Sequence, residues 1–211
     1  MYSFQRSLRR SLLPLLCPAN QPIGGDTGSS RGIARLLAHP HVLATQLRAI
    51  ARAREHADVR VLLPFVQSAD EVTAVRSRAA STLLLGAMIE SPDGVNAIAS
   101  IASAADFISI GTNGLTAETL GLAREMNQPM VDRRVLALVL RGIAGAHAAA
   151  RKATICGEMA GDERGARIAV GLGVDALSVA PARVLVVRGA LARTTLEACR
   201  AEAHAELLAK G

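Results

Sequence analysis

Between residues 33 and 179 the apolar positions of the chain switch back and forth between a helical and a strand period. Ile33, Leu36, Leu37, Leu43, Leu47 and Ile50 recur at helical spacing, and Pro40 interrupts the run to start a second helix. Val59 to Val66 is a nearly unbroken aliphatic stretch and reads as a buried strand. The alternation then repeats. Strands are predicted over 83–89, 106–110, 153–156 and 176–179, and helices over 69–80, 94–102, 117–125, 133–151 and 163–172, with terminal helices beyond. Strands that are aliphatic throughout, alternating with helices, argue for parallel crossover units buried on both faces. Five strands are too few to close an eight-stranded barrel.

Composition narrows this further. The 211 residues are 50% hydrophobic but only 2% aromatic, so the core must be built from Ala, Val, Leu and Ile. Residues 1–30 carry Pro14, Pro18, Pro22 and the Gly/Ser-rich run 24–30, and are predicted to be a poorly ordered or linker extension preceding a domain over 31–211. The opening segment is Arg-rich and free of acidic residues, superficially like a transit peptide, but Leu12 to Leu16 is too short and too broken by Pro14 for a signal core or membrane span. A net charge of +6 suits anionic ligands, while arginines without interleaved aromatics argue against a nucleic-acid platform. Cys17, Cys156 and Cys199 form no zinc or disulfide spacing, which fits a reducing cytoplasm.

Two segments carry the chemistry: Phe107-Ile108-Ser109-Ile110-Gly111-Thr112-Asn113-Gly114-Leu115-Thr116, and Thr154-Ile155-Cys156-Gly157-Glu158-Met159-Ala160-Gly161-Asp162. In wording and order they resemble the phosphoenolpyruvate-binding barrel of the phosphoenolpyruvate-utilising enzymes, most closely enzyme I of the bacterial sugar phosphotransferase system. The resemblance runs from about Arg31 to Ala190 and implies an α/β fold, a partial (β/α)8 TIM barrel made of roughly its last five β/α units. No counterpart of the family's phosphohistidine signature is present: Gly24 to Ser30 is Gly-rich but lacks the histidine.

The same resemblance implies a site at the strand C-termini, where such barrels keep their chemistry. Arg31, Arg60, Asn113 and Arg124 match substrate-binding positions, Glu90 matches a Mg²⁺ ligand, and Cys156 matches the general acid that protonates the enolate to pyruvate. A guanidinium fork suits phosphate and carboxylate, and a thiol with an ordinary pKa near 8.5 is both protonated and transferable near neutrality. Each position also has a structural reading. Arg31 could be one exposed arginine among many, Arg60 a flanking charge at a strand's start, Asn113 a turn residue before Gly114, and Cys156 core packing. Glu90 directly follows an apolar strand, where a carboxylate needs a cation or donors.

The chain departs from the family at Gly114, which stands where the motif has a second metal-binding aspartate. Weak or lost Mg²⁺ binding is therefore expected, together with impaired phosphoryl transfer. The runner-up is a noncatalytic interaction module or inactive remnant. The implied partners are phosphoenolpyruvate and a separate phosphohistidine domain or carrier protein. The open strand edges predict a homo-oligomer, so a monodisperse monomer in light scattering would contradict that expectation.

Overall fold

The computed structural model describes residues 31–122 and 131–209. One sheet contains β1 (Arg60–Leu63), β2 (Leu84–Ile89), β3 (Phe107–Gly111), β4 (Ala153–Cys156) and β5 (Ala176–Ser178). All neighbouring strands are parallel and the spatial order is the chain order. Doubly wound sheets reverse direction at a switch point, whereas barrel walls keep the chain order. The five strands therefore form an arc of barrel wall, as expected, with β1 and β5 as its edges.

Helices α1 (Gly32–Ala38) and α2 (Pro40–Arg54) precede β1, and α3 (Ala69–Arg76) leads to β2. After β2 come α4 (Pro92–Asn96) and α5 (Ile98–Ala104); after β3 come α6 (Thr112–Leu120) and α7 (Arg133–Ala148). Past β4 lie α8 (Glu158–Gly161) and α9 (Glu163–Gly171), and past β5 lie α10 (Val184–Ala192) and α11 (Leu196–Leu208). Pro40 sits at the first turn of α2, where a missing N–H is harmless, so the predicted split of the first helix is observed. Ser68 closes a capping box with Glu71 on α3, and Ser91 caps α4 in front of Pro92.

Among the boundaries that differ from the periodicity, those of β1 and α6 bear on the rim. β1 ends at Leu63 rather than Val66, because Pro64 donates no ladder hydrogen bond and Phe65 turns the chain at φ 53°. Helix α6 begins at Thr112, five residues before the expected start, so the polar motif after β3 is the first helical turn rather than a loop. The helix ends at Leu120, five residues short of the expected end near Glu125, where Gly121 turns the chain at φ 65°; Arg124 and residues 1–30 lie outside the described residues.

The two faces of the arc divide sharply. Ile89, Ile110 and Ile155 form one cross-strand row and Leu63, Ala87, Ile108 and Ala153 another, and each of these side chains is 3% exposed or less. This face meets the helices: Ile110 packs where Gly142 of α7 carries no side chain. Burying each Ile or Leu contributes about 1.5–3 kcal/mol, so these rows anchor the fold without aromatic help. The opposite, inner face carries Leu62, Gly86 and Phe107 in one row and Met88, Ser109 and Thr154 in the next, with smaller and more polar side chains as the C-terminal rim nears.

Candidate functional site at the C-terminal rim

Pairing of Ile89 with Ile110, Gly111 with Cys156 and Cys156 with Ser178 puts Glu90, Gly111, Cys156 and Ser178 at one level, the last on the inner face. Glu90 and Cys156 are thus two strand spacings apart, about 9–10 Å along the sheet. Glu90 is only 7% exposed, and its side chain leans over the bare Cα of Gly111. A Cβ there would come within 2.7 Å of Glu90 Cγ and 2.9 Å of its Oε1. The glycine between them leaves the carboxylate and the thiol facing one space.

The segments that follow β3 and β4 are clasped to one another above this row. The buried Thr112 hydroxyl donates to the Cys156 carbonyl at 2.9 Å, and Asn113 Oδ1 accepts from the Glu158 backbone N–H at 2.8 Å. Gly157 between them has φ 107° and ψ −174°, a region open in practice only to glycine, and a Cβ there would collide with Thr112 Oγ1 and Asn113 Oδ1. Thus the turn after β4 is locked onto the first turn of α6, and the Cys156 side chain is held at a fixed place. Its sulfur lies 3.7 Å from the hydroxyl of Ser109, a residue 2% exposed on the inner face.

Arg31 reaches the rim from the chain segment before α1. The backbone N–H of Ile33 donates to the Pro64 carbonyl at 2.9 Å, pinning this segment to the end of β1. The Arg31 guanidinium stands 5.5 Å from the centroid of the Phe65 ring, and its Nη1 donates to Glu118 Oε1 of α6 at 2.7 Å. Arg60 is not brought to this place. It pairs with Leu84, six residues before Glu90, roughly 20 Å back along the strand, and its guanidinium lies 3.4 Å from Asp58. Arg124 lies outside the described residues, so the structure brings Glu90, Cys156 and Asn113 together and sets Arg31 beside Phe65 and Glu118.

Three contributors were not singled out in the sequence. Ser109 had a signal, being a polar residue in an otherwise aliphatic strand two positions before Gly111. Thr112 lay inside the motif after β3 but was not singled out, and Glu118 had no signal, since their roles come from contacts 44 and 87 residues away in the chain.

The rim brings one deeply buried carboxylate, Glu90, to the level of the thiol, and the second expected carboxylate position is the buried Gly114. Among the described residues no group of three His, Cys, Asp or Glu side chains could hold a metal ion. Mg²⁺ takes near-octahedral oxygen ligands, commonly one or two protein carboxylates plus substrate phosphates, so these residues do not by themselves build its site.

Fold and rim define an arc of parallel α/β barrel whose C-terminal edge combines guanidinium, carboxamide, carboxylate and thiol. The chain belongs to a known family of this kind: residues 27–196 match the family described as PEP-utilising enzyme, PEP-binding domain. It is 33% identical over 203 residues to the phosphoenolpyruvate-protein phosphotransferase of Streptomyces coelicolor, covering 92% of this chain and 36% of that protein. Against the multiphosphoryl transfer protein of Rhodobacter capsulatus it is 34% identical over 181 residues, covering 79% of this chain and 22% of the other. The chain therefore spans about a third or less of these relatives. Among solved structures, the CitE protein of Mycobacterium tuberculosis in complex with magnesium, acetoacetate and coenzyme A superposes with a TM-score of 0.55 at 26% identity, covering 77% of this chain and 62% of that one. Among the described residues no helix is long and apolar enough to cross a membrane.

Proposed function

We propose that the C-terminal rim binds phosphoenolpyruvate and serves its conversion to pyruvate, with the phosphoryl group passing to a histidine of a separate phosphohistidine domain or carrier protein. Arg31 grips the phosphate or carboxylate, Asn113 offers its amide to the ligand, and Cys156 stands over the enolate carbon. As the phosphorus–oxygen bond breaks and the phosphoryl group moves to the acceptor nitrogen, the enolate takes a proton at its methylene carbon from the Cys156 thiol. This leaves pyruvate and a thiolate that solvent reprotonates. The single observation carrying the reading is the shared level of Glu90, Gly111 and Cys156 beneath the clasped turns. With Glu90 as the one deeply buried carboxylate at the level of the thiol and Gly114 at the second expected position, Mg²⁺ dependence is proposed to be weak and transfer slow. Cys156 and Cys199 form no disulfide among the described residues, which suits a reducing cytoplasm.

Thermal unfolding with phosphoenolpyruvate tests this directly. Ligand at a hundredfold excess over Kd adds about 2.7 kcal/mol to the folded state, a shift that Arg31→Ala should abolish. No shift of the wild-type chain at millimolar ligand would remove the proposal. Gly114→Asp should add a Mg²⁺-dependent increment to the shift, and an identical response with and without the ion would detach Glu90 from any metal role.

A further inference from the structure

The ion pair between Arg31 and Glu118 joins the end of β1 to the helix that follows β3, and so crosses the rim above β2. Both partners are reachable from solvent, with side chains 57% and 32% exposed. Phe65 supports the guanidinium from one side, and the carboxylate engages it through Nη1 alone. That is one hydrogen bond out of five available donors, where a phosphate can take two in parallel. Glu118 is also four residues after Gly114, hence on the same side of α6 and one turn along. The helix has no carboxylate at the first of these positions and presents one at the second.

We propose that Glu118 is an internal competitor for the anion site: its carboxylate occupies Arg31 until a phosphate-bearing ligand displaces it. The inference rests on reading Arg31 as the anion-gripping residue. A side chain that must leave its partner before a ligand can enter weakens every ligand using that partner by the same factor, the reciprocal of the open fraction. A half-exposed ion pair of this kind is worth at most about 1 kcal/mol, so the factor is roughly fivefold or less. Glu118 thereby sets affinity without touching the reacting atoms, and its re-pairing with Arg31 assists release.

The test uses the full chain with Glu118→Gln, Arg31→Ala and the double variant, and Glu197→Gln as a control. Glu197 is an exposed glutamate at the start of α11 whose replacement makes the same change in net charge. Titration calorimetry with phosphoenolpyruvate and with inorganic phosphate should show Glu118→Gln tightening both by a common factor of roughly fivefold or less, and Glu197→Gln leaving both unchanged. In the Arg31→Ala background the Glu118→Gln effect should vanish. An equal gain from Glu197→Gln, or a gain that persists without Arg31, would reduce the effect to bulk charge and overturn the proposal.

A ligand-free measurement separates this from the function itself. Phenylglyoxal labelling, mapped by mass spectrometry to the peptide containing Arg31, should be faster in Glu118→Gln than in wild type. Unchanged labelling overturns the competitor role. Faster labelling together with inorganic phosphate binding that Glu118→Gln tightens, but without phosphoenolpyruvate binding, sustains it and sinks the proposed function instead; faster labelling with neither anion bound overturns both.

Discussion

The two ends of the sheet handle charge in opposite ways. At the N-terminal end the same clasp occurs twice. Asp106, just before β3, accepts from the Leu85 N–H at 2.7 Å and from Arg76 at 2.8 Å, while its own N–H donates to the Leu85 carbonyl. Asp175, just before β5, accepts from the Ala153 N–H at 2.7 Å, bonds His147 at 2.9 Å, and donates its N–H to the Ala153 carbonyl. Arg76 ends α3 and His147 lies in the last turn of α7, so each clasp ties a helix's end to the start of the strand that follows it and to the strand beyond. At the C-terminal end the contacts instead join the segments at the ends of different strands: Thr112 to Cys156, Asn113 to Glu158, and Arg31 to Glu118. One end spends its polar groups on the framework, and the other holds side chains around a shared space, the division expected of barrels that keep chemistry at the C-terminal face.

The largest effect should come from disturbing the clasped turns. Gly157→Ala forces a side chain into backbone space that only glycine populates and into Thr112 and Asn113, and should cost about 1–3 kcal/mol in urea unfolding. Because the same turn fixes Cys156, the variant should also lose its phosphoenolpyruvate-induced thermal shift. A stable Gly157→Ala chain that still responds to ligand would show the rim to be slack, and the contrast between the ends would dissolve.

Next in size are the framework clasps. Burial acts to raise the Asp106 carboxyl, but the Arg76 hydrogen bond, the Leu85 N–H and the Arg76 and Arg151 charges outweigh it and hold its pKa below the ordinary value. For Asp175 burial is likewise outweighed, here by His147, the Ala153 N–H and Lys152. A carboxylate whose folded pKa is depressed contributes stability that is complete above its unfolded pKa, near 3.9, and drains away as pH falls through the lower folded value. Asp106→Asn and Asp175→Asn should each cost about 1–2 kcal/mol at pH 7, discounted for partial exposure. Two strand spacings separate the sites, so the costs should add, and the double variant should show a flatter loss of stability below about pH 4. Ligand response at neutral pH should survive in both, which is what distinguishes these residues from Gly157.

How much of this was readable in advance follows from the range of the interactions. Strand identity and order came from local aliphatic runs such as Leu84 to Ile89, and the split at Pro40 from proline's missing N–H. Glu90 and Cys156 were visible because each ends a strand, and parallel strands in chain order bring their ends to one rim. Arg60 was equally visible in sequence but begins its strand, and the register carries it to the other end of the sheet. The early start of α6 was hidden because Thr112 and Asn113 are poor helix formers by composition; contacts to β4 and α8, over forty residues on, place them in a first turn. The Arg31–Glu118 pair spans 87 residues, and no local pattern encodes it.

The smallest structural change tests the sharpest chemical claim. Cys156→Ser replaces one half-buried sulfur that lies 3.7 Å from the Ser109 hydroxyl, so stability should move by no more than about 0.5 kcal/mol, and phosphoenolpyruvate should still raise the unfolding temperature. A hydroxyl, unlike a thiol with a pKa near 8.5, is too weak an acid to protonate the enolate carbon efficiently. By microscopic reversibility the residue that donates this proton also removes it, so the wild-type chain should exchange pyruvate methyl protons for deuterium in heavy water without any phosphoryl acceptor. Proton magnetic resonance should find that exchange reduced by about a hundredfold or more in Cys156→Ser, the usual share of a general acid or base. Equal exchange rates in the two proteins would leave the thiol as packing and move the proton donor elsewhere on the rim.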